Sequence, residues 1–256
     1  MHAINNDRAI AVQLSHISKK YIIRAKKPTL VGKFIKSEEE IFYALDNVNL
    51  TIRKGERIGV IGPNGSGKTT LLKTIAGITL PTAGSVKTIG KIVSLIDLEA
   101  GFHPDLTGEE NIQLNGLLIG MSKKEINVHK ERIRNFSGIG QFMKLPFYTY
   151  SSGMKFRLAF AVAVASKCQI LIMDEVFLAG DYTFVEKSIS WLRKINRLKN
   201  LTLVIASNDP TFIWEFAQRY IMLDHGKIIE LSKKDVLSIM KKNEILWKKI
   251  LPHSTY

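Results

Sequence analysis

The run Gly62-Pro63-Asn64-Gly65-Ser66-Gly67-Lys68-Thr69, followed by Thr70, has residue types and spacing suited to holding phosphate. It fits G-x-x-x-x-G-K-[ST]. Glycines let the backbone curl so that N–H groups converge on phosphate oxygens. A helix opening directly after the turn adds the partial positive charge of its N-terminus. Lys68 can reach the β- and γ-phosphates of a nucleoside triphosphate, and the Thr69 hydroxyl can ligate Mg²⁺. A second metal partner should be a carboxylate at the end of a neighbouring strand. Ile170-Leu171-Ile172-Met173-Asp174-Glu175 supplies one. Acids that end a buried apolar strand are costly unless they have a task. Asp174 would hold the metal and Glu175 would polarise an attacking water. The constellation points to ATP and Mg²⁺ as ligands.

Such residues need strands to carry them and helices to flank them. Short β-rich runs predict strands at Ile10–Leu14, Arg57–Ile61, Ile92–Ile96, Ile170–Met173, Thr202–Ala206 and Tyr220–Leu223, most bounded by Gly, Asn or Asp. Longer periodic stretches predict helices at Thr69–Ala76, Glu109–Leu118, Lys123–Phe136, Met154–Ala165, Phe184–Leu198 and Thr211–Ala217. Alternating strands and helices argue for an α/β fold, a mostly parallel sheet with helices on its faces. The block from about 100 to 165 holds three helical patterns and no convincing strand, which predicts a helical lobe inserted in the α/β core. No repeat and no low-complexity segment appears. Residues 231–256 read as a short amphipathic helical tail on a single domain spanning 1–256.

Tyr150-Ser151-Ser152-Gly153-Met154-Lys155-Phe156-Arg157-Leu158-Ala159-Phe160 narrows the class. It resembles the signature of ABC-type ATPases, in the variant found in the ATP-binding subunits of polysaccharide exporters for O-antigen, teichoic acid or capsule. Physically it is another Ser- and Gly-bearing turn at a helix N-terminus, a second phosphate cradle. The segment from Ala100 to Ile112, with Gly101, Phe102, Pro104, Leu106, Thr107, Gly108, Glu110 and Asn111, is similar to the same exporters. So are Ala44-Leu45-Asp46-Asn47-Val48 and Glu175-Val176-Phe177-Leu178-Ala179-Gly180-Asp181. The resemblance runs from about residue 10 to 230.

It implies a P-loop ABC-type core with an N-terminal antiparallel β patch and the inserted helical subdomain. It implies a head-to-tail homodimer in which Ser151, Ser152, Gly153 and Met154 complete the ATP site of the other copy, and Asp181 of the D-loop contacts that copy. Tyr21 stands where the family stacks an aromatic ring on adenine. Two departures stand out. Asn208, in Ile205-Ala206-Ser207-Asn208-Asp209, replaces the family's switch histidine. An amide still donates a hydrogen bond but cannot become cationic or carry a proton away, so hydrolysis should be slower than in relatives with His. His225, in the turn Asp224-His225-Gly226, is no obvious substitute. The family's Q-loop glutamine is also missing from Ser94-Leu95-Ile96-Asp97-Leu98-Glu99. Asp97 is the preferred metal-side ligand with Glu99 a surface acid, the reverse assignment remaining open.

Composition bounds the partners. With 45% hydrophobic residues and a single cysteine, the chain is neither disordered nor a disulfide scaffold. Cys168 reads as packing. The longest apolar run, Leu158 to Ala165, is eight residues, against about 20 for a spanning helix. No secretory leader pattern opens the chain. No zinc-type spacing, hydrolase elbow or nucleic-acid module appears. The formal charge is +14, and Lys19, Lys20, Arg24, Lys26, Lys27, Lys33 and Lys36 supply +7 within an 18-residue stretch without an acid. That run fits an anionic membrane surface or a solvated face. The reading is an ATPase subunit at the cytoplasmic face of the membrane. It would be peripheral, paired with a polytopic membrane subunit, not with nucleic acid, and would power export of lipid-linked polysaccharide. The alternatives are a weakly hydrolysing, nucleotide-sensing regulatory subunit and a non-transport ABC ATPase.

Overall fold

The structure is a computed structural model that describes residues 9–24, 39–96, 98–174, 182–195 and 200–250. The expected site residues Asp97, Glu175 and Asp181 lie outside the described residues, as do Lys26, Lys27, Lys33 and Lys36 of the basic run.

Two sheets form. β1 (Ile10–Arg24), β2 (Glu39–Arg53) and β4 (Ala83–Thr88) make an antiparallel sheet in the order β2-β1-β4. β3 (Arg57–Ile61), β5 (Ile92–Ser94), β6 (Ile170–Met173), β7 (Thr202–Ser207), β8 (Arg219–Asp224) and β9 (Lys227–Leu231) make the second, in the order β5-β6-β7-β3-β8-β9. Its first five strands are parallel, and β9 folds back antiparallel on β8. β6 and β7 are buried at every residue, as continuous Ile/Leu/Val runs demand of strands covered on both faces.

Helices follow the periodic stretches: α1 (Lys68–Ile75), α2 (Gly108–Leu118), α3 (Lys123–Ser137), α4 (Ser152–Ala165), α5 (Tyr182–Ile195), α6 (Pro210–Phe216) and α7 (Lys233–Ile250). Thr107 and Ser122 open α2 and α3 with full capping boxes, closed by Glu110 and Glu125. One apolar core lies between the antiparallel sheet, α1 and one face of the large sheet; Ile17, Leu45, Leu71, Leu72, Val204 and Ile221 belong to it. A second covers the opposite face, with Phe160, Phe184, Leu192, Ile213 and Phe216. A third holds α2, α3 and α4 together through Ile112, Ile126, Ile133, Leu158 and Val162. α4, apolar almost all round, is buried between these last two, and no helix among the described residues is long and apolar enough to cross a membrane.

The fold differs from the sequence expectation mainly near the N-terminus. The antiparallel β patch implied by the resemblance is present as β1, β2 and β4, but β1 runs ten residues beyond its predicted end at Leu14, and residue patterning placed no strand at β2, β4 or β9. β4 is largely exposed, and β1 changes register several times, so a simple in/out alternation is lost in both.

Arg219 ties the two sheets together. Its Nη1 donates to Thr51 O at 2.8 Å and Glu56 Oε1 at 3.0 Å, its Nε to Glu230 Oε2 at 3.2 Å, and its Nη2 to Glu230 Oε1. Burial opposes the charge, but the carboxylates of Glu230 and Glu56 outweigh it and hold the guanidinium pKa above its ordinary value. Removing one partner of a half-buried charged network leaves the others unpaired. Arg219→Ala should therefore cost about 2–3 kcal/mol in urea unfolding, while Arg219→Lys recovers part of the loss.

Candidate functional site

β3 delivers the chain to the phosphate-type turn at the C-terminal end of the parallel sheet, where open α/β sheets take ligands. The turn passes so close to its neighbours that only glycine fits. A β-carbon on Gly62 would lie 2.4 Å from Leu223 O, and one on Gly67 would lie 2.1 Å from Ala44 O. Gly67 also holds φ +104° as the N-cap of α1 and supplies no side-chain cap. No side-chain oxygen therefore caps the N-terminus of α1.

Lys68 opens α1 and is 7% exposed. Its ammonium donates to Gly62 O at 2.8 Å, Pro63 O at 3.0 Å and Asn208 Oδ1 at 2.6 Å. A Lys has nothing to accept with, so the Asn208 oxygen must face it and the Asn208 nitrogen must face away. That nitrogen donates to Asn64 Oδ1 at 2.6 Å. Asn208, just past β7, thus bridges the loop and the lysine. Next to Lys68, Thr69 Oγ1 donates to Asp174 Oδ2 at 2.7 Å; Asp174 follows β6 and is 5% exposed.

Lys68, Thr69 and Asp174 open onto one cavity of about 270 Å³, which Asn208 does not line. Asn64, Gly65, Gly67, Lys68, Thr69, Thr70 and Asp174 line one side, and Tyr21, Phe42 and Ala44 of the antiparallel sheet line the other. Tyr21 and Phe42 are direct cross-strand partners and each is about half-exposed. The sequence points to Tyr21 but not to Phe42, and it marks Ala44 only as part of a family-like run, not as a wall of the cavity. Phe42 sits opposite Tyr21 only because β1 and β2 pair in this register, and a single strand does not announce its partner.

The chemistry of the cavity suits a polyphosphate. It offers a nearly buried lysine, a helix N-terminus without a side-chain cap and a hydroxyl beside a carboxylate. The Ser66 hydroxyl oxygen is buried without a hydrogen-bond partner. Thr69 and Asp174 are hard oxygen donors of the kind Mg²⁺ takes, with its remaining positions filled by phosphate and water. No group of three or more His, Cys, Asp or Glu side chains that could hold a metal ion by themselves occurs among the described residues.

The second cradle stands apart. Ser151 caps α4, its Oγ accepting from Met154 N at 3.3 Å. Ser151 and Ser152 are exposed, and a β-carbon on Gly153 would meet nothing within 4 Å. Ser151, Ser152, Gly153 and Met154 are not among the residues lining the cavity. Asn111, from the Ala100–Ile112 segment, is fully buried. Its side chain bonds His103 N and O, Leu106 O and Thr107 O, which makes it a staple for the loop before α2. His225 is exposed and paired with Asp224 at 2.8 Å. Glu99 is exposed. Cys168 is half-buried, and burial pushes its thiol up to about 11.

The profile of the family described as ABC transporter matches residues 45–178. The chain is similar to an O-antigen export system ATP-binding protein of Myxococcus xanthus, 41% identical over 80% of this chain and 46% of the relative. A protein of the same description from Klebsiella pneumoniae is 38% identical over 76% of this chain and 78% of its own length. A teichoic acids export ATP-binding protein of Bacillus anthracis is 38% identical over 86% of this chain and 40% of its own. The chain thus spans less than half the length of two of these three. Among solved structures, an ATP-binding cassette caught as a dimer after hydrolysis, with ADP and Pi, superposes with a TM-score of 0.68. It is 28% identical over 86% of this chain and 98% of its own.

The Gly67 approach yields a direct check. In Gly67→Ala the new methyl group collides with backbone, which cannot swing aside as a side chain does. ATP affinity measured by calorimetry should fall by at least about tenfold, and the melting temperature should drop by about 4 °C or more.

Proposed function

The chain belongs to the ABC transporter ATP-binding family, and from that premise we propose that it binds and hydrolyses Mg-ATP to power export of a lipid-linked polysaccharide through a separate membrane subunit. The observation that carries the reading is the Lys68–Asn208 and Thr69–Asp174 pair of contacts beside the Tyr21–Phe42 face. In the proposed arrangement the loop from Gly62 to Thr70 wraps the phosphates and Lys68 turns from its carbonyl acceptors to the β- and γ-phosphates. Thr69 and Asp174 would hold Mg²⁺, with Asp97 beside them. Mg²⁺, when bound, neutralises phosphate charge. Tyr21 stacks on the base. Glu175 accepts a proton from the attacking water, and Asn208, already placed at the lysine, donates to a phosphate oxygen.

The cradle of Ser151, Ser152, Gly153 and Met154, exposed at its two serines, supports a head-to-tail pair, each copy closing the other's site, with Asp181 at the seam. Closure of the pair would move the α2–α4 lobe and, through it, the membrane subunit. The names of the relatives support polysaccharide as cargo. The basic run from Lys19 to Lys36 supports a place against the anionic cytoplasmic leaflet. Asn208 in place of a histidine favours one further reading, a subunit that senses nucleotide and hydrolyses it little.

Turnover of the purified chain separates the two. Lys68→Ala should abolish phosphate release, and Glu175→Gln should lower it by about 100-fold or more. No effect of Glu175→Gln would favour the sensor. Asn208→His should raise turnover; an equal or lower rate would count against the idea that the amide slows hydrolysis. Changing Lys26, Lys27, Lys33 and Lys36 to Gln removes four charges, each worth about 1 kcal/mol near an anionic surface. Binding to phosphatidylglycerol vesicles should fall sharply, and unchanged binding would make the run an ordinary solvated face.

A further inference from the structure

His16 on β1 and Asn47 on β2 hold φ of +52° and +50°, in the left-handed region that side chains rarely adopt. Both sit where the β1–β2 ladder changes step. Leu14 pairs with Leu50, Ile17 with Val48, and Lys19 with Leu45. β1 therefore carries an extra residue around His16, and β2 carries one directly afterwards around Asn47. Bulges bend a ribbon and strengthen its twist. These two are tied across the strands: His16 Nδ1 donates to Asn47 Oδ1 at 2.9 Å, His16 N to Asn49 Oδ1 at 2.9 Å, and Asn47 N to Ser18 Oγ at 3.0 Å. Both residues are exposed, so packing does not account for the strained backbone.

Directly beyond the bulges, β2 meets the phosphate loop. One residue on, Asp46 N donates to Gly226 O at 2.9 Å, and Gly226 N donates to Ser66 O at 3.3 Å. The Ala44 carbonyl then packs against Gly67. The register shifts again between Lys19–Leu45 and Lys20–Tyr43, which makes Ala44 itself the extra residue. Two residues further, Phe42 meets Tyr21 over the cavity. β2 is thus clamped to the phosphate loop within three residues of the bend, and it then carries the aromatic pair.

We infer that the His16–Asn47 pair is a positioning device that sets the reach between the Tyr21–Phe42 face and the phosphate loop. It thereby sets how strongly the cavity prefers a triphosphate bearing a base to a bare triphosphate. The inference rests on the nucleotide reading of the cavity. Neither residue lines the cavity; they act through Tyr21 and Phe42.

The test compares calorimetric affinities for Mg-ATP and for inorganic tripolyphosphate with Mg²⁺. It uses His16→Ala, Asn47→Ala, the double variant and Asn47→Asp. Each alanine variant should weaken ATP binding about fivefold and leave tripolyphosphate within about twofold. The double variant should be no worse than either single one, because one tie is being cut. Asn47→Asp keeps an acceptor toward His16 and tolerates the same backbone, so it should bind ATP as the unaltered chain does. If Asn47→Ala fails to fold, Asn47→Gly accepts φ +50° without strain, lacks only the tie, and carries the same expectation. Equal losses for both ligands, additive losses, or unchanged ATP binding would each overturn the inference. So would an unaltered chain that binds the two ligands equally, a result that leaves the phosphate reading standing. An unaltered chain that binds neither would sink the nucleotide reading and this inference with it.

Discussion

A buried ammonium must be surrounded by acceptors, and much of this structure follows from meeting that need at Lys68. Two acceptors are carbonyls of the turn itself, Gly62 O and Pro63 O, and the third is the Asn208 amide oxygen. The turn can present those carbonyls only if it is tightly curled, which its glycines allow. Asn208 can reach only if β7 lies beside β3 in parallel register, with Ile61 level with Ser207. The sheet order places β6 on the far side of β7, which brings Asp174 to Thr69. A lysine held by these three acceptors is oriented by bonds that a phosphate oxygen can replace.

The second sheet completes the cavity rather than merely covering the core. Its inner face supplies Ile17, Leu45 and Leu50 to the core it shares with α1 and the large sheet. Its far end supplies Tyr21 and Phe42. The two duties pull on the same pair of strands, and the bulges reconcile them: a straight ladder could keep the core contacts or reach over the loop, but it would not bend between them. Arg219 works at the other end of the junction, fixing Thr51 and the β2–β3 turn to β8 and β9.

The parallel sheet was legible because its strands are short, largely buried and bounded by turn residues, so composition marks them. β3 and β6 came out with their observed limits, and the helices of the 108–165 block within two residues of theirs. The phosphate-type turn was legible because its chemistry needs particular residue types at fixed spacing. β2 and Phe42 were not, since pairing across 20 or so residues with register shifts leaves no period in either strand. The role of Asn111 was hidden for another reason. Its four hydrogen bonds are to backbone atoms, and backbone has no letter in a sequence.

The lone thiol has a practical consequence. A cysteine with a pKa near 11 presents about one thiolate in a thousand at pH 8, and the thiolate is the form that maleimides and iodoacetamides attack. The unaltered chain is therefore a nearly silent background for thiol labelling. A new cysteine at an exposed site such as Leu80 or Tyr182 would take a fluorophore or spin label almost alone. Distances within and between copies could then be followed without first stripping the protein of its own sulfur.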